Sequence, residues 1–206
     1  MCIRDRVGVD QNIYCIGGLE DNLNCERYLI EQNRWESINS LPTSRSGCSA
    51  FFDRKRSNLY LFGGYNYIKN RMLETILVMK LLDKKNCWEE INIVGGEFMK
   101  KSMMGIIHLD NNLILLVGGY EYNDEKCCDI ETDIVLKFDI ENLDVFVEEY
   151  KLMVPSVFNS KNSVEYGHDS FDFIIDDNFN VHRFIREERR FDCISKINNK
   201  LLDCSL

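Results

Sequence analysis

A diglycine that closes a short apolar run, written three times, limits this chain more than any bulk property does. Residues 58–67 read NLYLFGGYNY, residues 112–122 read NLILLVGGYEY, and residues 12–18 read NIYCIGG. Glycine weakens a strand but admits positive φ and close approach of other backbone. The pattern therefore describes strands that stop where the chain must bend. The pairs Gly17-Gly18, Gly63-Gly64 and Gly118-Gly119 begin 46 and 55 residues apart. Each is followed by a polar loop, an apolar segment and an aromatic: Trp35, Trp88 and Phe146.

A period of this length, built from short strands, points to stacked four-stranded units of the kind that form propeller blades. The second unit shows the full pattern. Residues 47–52 are a small-residue strand, 53–57 a turn, and 59–62 a continuous apolar strand suited to burial on both faces. A polar loop (65–74), a third strand (75–82), a turn (83–86) and a half-exposed fourth strand (87–93) complete it. The third unit repeats this with strands over 104–109, 113–117, 134–140 and 145–150. Its Asp-Asn-Asn turn at 110–112 tolerates the positive φ of a tight hairpin. The fourth unit is degenerate. Residues 183–194 lie over 27–38 without a gap, but Ile175-Asp176 stands where the glycines should be. The first unit lacks an opening strand. Gly95-Gly96 falls out of phase and reads as a flexible loop.

These residues resemble kelch repeats: an apolar run, a diglycine, a spaced aromatic and then a Trp, recurring near fifty residues. The stretch from Trp35 through Pro42 to Arg45 is especially similar. The resemblance is good over 7–150 and poor over 164–196. It implies an all-β fold, a kelch-type β-propeller of four-stranded blades at about 7–40, 45–94, 103–151 and 164–197, forming part of a larger ring. In such a fold Trp35 and Trp88 pack between blades, and the diglycines let the next blade's aromatic lie against bare backbone. Met1-Cys2-Ile3-Arg4-Asp5-Arg6 resembles a translated sequencing-library adaptor and is set aside. On that reading the native chain begins upstream of Val7.

Composition removes several functions. A net charge of -9 argues against a nucleic-acid surface, which needs clustered Lys and Arg. No apolar run approaches the ~18–20 residues of a membrane span, so no membrane partner is expected. Nine scattered cysteines without a CxxC pair fit a reducing, cytoplasmic setting with mostly buried thiols. His108, His168 and His182 show no metal spacing, Cys127-Cys128 cannot comfortably face one metal, and Cys48 has no His near it in sequence. No catalytic residue, cofactor or metal is expected.

What remains is surface. In a four-stranded antiparallel blade the 2–3 loops and 4–1 connections emerge on one face, the 1–2 and 3–4 turns on the other. The long segments here, 65–74, 120–131, 94–103 and 152–164, all fall on the first. Tyr65, Tyr67, Lys69, Arg71, Tyr120 and Tyr122 lie there and are the candidate protein-binding residues. The expected function is a non-catalytic interaction module for a polypeptide partner. The alternative is an enzyme on the same fold, acting on a sugar or small polar ligand.

Overall fold

The computed structural model describes residues 5–19, 22–110, 112–149, 151–153, 156, 166–168, 171–175 and 180–196. These residues form several small antiparallel sheets. One single-turn 3-10 segment, Gly96–Met99, interrupts them, and there is no α-helix among the described residues. The first sheet runs β1 (Asp5–Val9), β2 (Asn12–Ile16), β3 (Cys25–Leu29) and β4 (Arg34–Ile38) in that order. The second contains β5 (Ser49–Asp53) and β6 (Asn58–Phe62). A hairpin of β7 (Tyr65–Asn66) and β8 (Arg71–Met72) follows, and then β9 (Ile76–Lys80) and β10 (Trp88–Ile91) complete the order β5-β6-β9-β10.

The short β11 (Lys101–Ser102) precedes the third sheet, whose first strands are β12 (Gly105–His108) and β13 (Leu113–Val117). β14 (Tyr120–Asn123) and β15 (Cys128–Glu131) join β11 in a separate three-stranded sheet, and β16 (Val135–Asp139) and β17 (Asp144–Val147) finish the order β12-β13-β16-β17. The fourth sheet is β18 (Tyr166–His168), β19 (Phe171–Ile175), β20 (Asn180–Ile185) and β21 (Arg190–Lys196).

The core lies between successive sheets. The apolar β6 serves two of these layers because its side chains alternate. Leu59 and Leu61, with Leu77 and Met79 of β9, pack on Tyr14, Ile16 and Val9 of the first sheet. Tyr60 and Phe62, with Ile76 and Val78, pack on Ile114, Leu116 and Phe138 of the third. A third cluster joins Ile107, Leu115 and Val117 to Phe184 and Phe191 of the fourth sheet.

The gapless match of 183–194 to 27–38 is repeated in three dimensions. Arg27 donates to Glu36 at 2.8 Å, and Arg183 to Asp192 at 2.8 Å. The Tyr28 and Trp35 rings are 5.0 Å apart, the Phe184 and Phe191 rings 4.9 Å. Pairing of Phe184 with Asp172 moves the expected diglycine position one residue on, to 176–177, outside the described residues.

Several expectations are corrected. The first unit does have an opening strand: β1 pairs Val7 with Tyr14 and takes in Asp5 and Arg6 of the segment set aside. Residues 1–4 of that segment lie outside the described residues. The polar stretches 65–74 and 120–131 are paired hairpins rather than loops. Gly95 is not part of a loose loop: the Val94 N–H donates to the Leu143 carbonyl at 3.1 Å and the Val94 carbonyl accepts from the Val145 N–H at 2.9 Å, which latches the segment to β17. Of the seven described cysteines only Cys15, Cys25 and Cys48 are buried, and none of the seven is in a disulfide.

The aromatic series also needs correction. Trp88 faces Met79 and Leu59, and its position in the third sheet is held by Val145, which faces Phe138 and Ile114. Phe146 is one residue out, so it points to the other face and is 46% exposed. There it lies under the Lys137 ammonium. Trp35 has the position of Trp88 but is 52% exposed. Trp88 is covered by the first sheet, whereas no sheet among the described residues covers the face that carries Ile13, Tyr28 and Trp35.

The diglycines do their work against backbone, not against an aromatic. The second glycine of each pair donates its N–H to the connection entering the next unit: Gly18 to Arg45 at 3.3 Å, Gly64 to Lys101 at 2.8 Å, Gly119 to Ser156 at 2.7 Å. Arg45, Lys101 and Ser156 are all buried at these crossings. Arg45 donates to the Gly63 and Thr75 carbonyls at 3.1 and 3.2 Å and to the Thr75 hydroxyl at 3.0 Å. Arg45→Met keeps the aliphatic stem and strands those acceptors, so it is expected to cost about 1–3 kcal/mol. A urea titration checks this; an unchanged midpoint would mean the carbonyls find other donors.

Candidate functional site

A cleft of about 930 Å³ opens where the two hairpins and the connection between them meet. The β7–β8 hairpin supplies Tyr65, Asn70, Arg71 and Met72. The connection supplies Glu97, Phe98, Lys100 and Lys101. The β14–β15 hairpin supplies Glu121, Tyr122, Asp124 and the run Cys127 to Asp129. Leu136 and Val147 of the third sheet, with Ile134 just before β16, add apolar surface.

Local chemistry fixes these hairpins. Asn66 accepts the Lys69 N–H at 2.7 Å and donates to the Ser44 carbonyl at 2.6 Å, which ties the β7–β8 turn to the preceding connection. Asn123 accepts the Lys126 N–H at 2.8 Å in the β14–β15 turn. Asn70 and Cys127 take the left-handed backbone positions, φ 49° and 51°, that end the two turns. The Tyr65 hydroxyl donates to Asn70, so its ring is held across its own hairpin.

The charges are unequally spent. Lys101, buried, pairs with Glu121. Lys100 pairs with Glu74 at 3.2 Å. Arg71, Glu97, Asp124 and Asp129 make no ion pair among the described residues. The Tyr122 phenol is pushed up in pKa, first by neighbouring Cys127, then by burial and by Asp124.

Of the six candidate residues, the structure brings Tyr65, Arg71 and Tyr122 into this cleft. Tyr67, Lys69 and Tyr120 do not line it. Tyr67 stands outside against the Tyr65 ring, at 5.0 Å, half exposed. Tyr120 heads β14, where it pairs with Ser102 of β11 and Glu131 of β15. Sequence reasoning placed the connection 94–103 on this face but singled out none of its residues. Phe98, Glu97 and Lys100 were therefore missed, and their only signal was an aromatic between charges in a stretch without strand pattern. His182, at 3.3 Å from the Ser156 hydroxyl, is buried between the third unit and the fourth and far in sequence from the cleft. Among the described residues no group of His, Cys, Asp and Glu is placed to hold a metal ion. None of their helices is long and apolar enough to cross a membrane.

The fold and cleft thus define an all-β repeat chain of small antiparallel sheets with a concave, mixed-charge surface between adjacent units. No family model matches the chain. It is similar to a kelch repeat-containing protein of Dictyostelium discoideum, with 35% identity over 85 residues, which is 38% of this chain and 12% of that protein. The chain spans only a small part of that relative's length.

Proposed function

We propose that the chain is part of a kelch-type β-propeller and serves as a non-catalytic module that binds a polypeptide through the cleft between its second and third units. The observation that carries the reading is the cleft itself. Apolar side chains, two tyrosines and charges of both signs converge between two latched hairpins, which is the composition of a protein-binding surface. The blades are assigned to about 7–40, 45–94, 103–151 and 164–197. The uncovered face of the first sheet, with Trp35 and Ile13, is where a further blade would pack.

The test is a quantitative pull-down with single variants. Arg71→Ala and Tyr122→Ala are expected to weaken capture by about 2 kcal/mol, the level of an interface hot spot, with unchanged melting. Lys84→Ala, in the exposed 83–86 turn, is expected to change nothing. Loss of partners from the Lys84 variant alone would move the binding surface to the other face.

A further inference from the structure

The charge inventory of the cleft says which peptide it suits. This step rests on reading the cleft as a peptide site. Once Lys101 is matched to Glu121 and Lys100 to Glu74, three carboxylates remain against one guanidinium. Two of them, Asp124 and Asp129, sit on the β14–β15 hairpin beside the Tyr122 ring. The third, Glu97, comes from the connection, so the negative wall is built by two separate elements. Arg71 stands on the β7–β8 hairpin. The same elements bring apolar lining beside the charges: Met72 follows Arg71 on β8, Phe98 follows Glu97 in the connection and is partly exposed, and Leu136 comes from β16.

We infer that the cleft takes an extended peptide in which an apolar residue is followed closely by a lysine or arginine. The apolar side chain enters between Met72 and Phe98. The cation lies toward Asp124 and Asp129, where Tyr122 offers an aromatic face and the carboxylates offer acceptors. Arg71 meets main-chain carbonyls or an acidic residue at the other end, so the peptide has one preferred direction. The chain's net charge of -9 adds long-range attraction for a basic segment.

The probe is a phage-displayed library of random octapeptides, selected on the whole chain and on the Asp124→Asn/Asp129→Asn double variant. The expected consensus is an apolar residue with Lys or Arg one or two positions after it, absent from selection on the double variant. In a synthetic peptide of that consensus, exchange of the basic residue for Glu is expected to weaken binding about tenfold or more, and high salt should remove most of the difference. Glu97→Gln should lessen the preference from a different element. A consensus without basic residues, or the same basic consensus on the double variant, overturns this inference and leaves the peptide site standing. If no peptide is enriched, or if Arg71→Ala and Tyr122→Ala leave the selected peptides bound equally well, the peptide site itself falls.

Discussion

Trp88→Ala is expected to cost about 3–5 kcal/mol, the range for truncating a buried large aromatic, while Trp35→Ala costs under about 1 kcal/mol. Both residues hold the same position on a fourth strand, so propensity and register cannot separate them. Their surroundings can. Trp88 is 8% exposed and closes the layer between the first and second sheets against Leu59 and Met79. Its indole N–H donates to the Asn39 carbonyl at 3.1 Å. The Asn39 side chain returns the contact, donating to the Lys85 and Asn86 carbonyls at 2.6 and 3.0 Å. Removing the indole therefore opens a cavity and loosens a two-way latch between units. Trp35 is half exposed, and its ring contact with Tyr28 lies at the surface, toward the low end of the about 0.5–1.5 kcal/mol of such pairs. Denaturant titrations of the two variants decide this. Equal losses would mean that something covers the Trp35 face in solution, and a second copy of the chain would be detected by sedimentation.

The sequence made the inner strands legible because burial on both faces leaves a continuous apolar run. Asn58–Phe62 and Leu113–Val117 show this plainly, and both were placed within a residue or two. The paired hairpins at 65–72 and 120–131 were not legible, because their strands are short, polar and defined by backbone pairing that no side-chain period reports. Phe146 was assigned to the Trp series by type, but the register gives that position to Val145. A slip of one residue changes the face, and only pairing fixes it. The exposure of Trp35 had no signal at all in its own residues, since it depends on whether another sheet lies alongside. In the cleft, Tyr65, Arg71 and Tyr122 could be guessed from loop length and residue type. The contribution of Glu97 and Phe98 depends on how the Gly96–Met99 turn carries the connection across the hairpins, which is a tertiary fact.

Gly63→Ala is expected to destabilise the chain by about 2–4 kcal/mol, combining about 1–2 kcal/mol for a side chain in the left-handed region with the loss of a buried hydrogen bond. Gly63 has φ +57°, and a Cβ there would lie 2.3 Å from the Lys101 carbonyl oxygen and 3.1 Å from that of Met99. Both obstacles are backbone, so no rotamer change relieves them. The connection must move away, and with it goes the Gly64 N–H bond to Lys101 at 2.8 Å. Gly8→Ala is the matching control: nothing lies within 4 Å of a Cβ at that position, and β1 gains from the exchange through a stiffer unfolded chain. The consequence extends to the cleft. The displaced segment carries Lys101 and adjoins Lys100 and Phe98, so Gly63→Ala should weaken peptide capture while every cleft side chain is still present. Thermal melts of the Gly63 and Gly8 variants, each paired with the pull-down, test both halves. A Gly63 variant that melts normally would show that the connection can shift freely, and the diglycine would then lose its role as the fixed point on which the cleft is built.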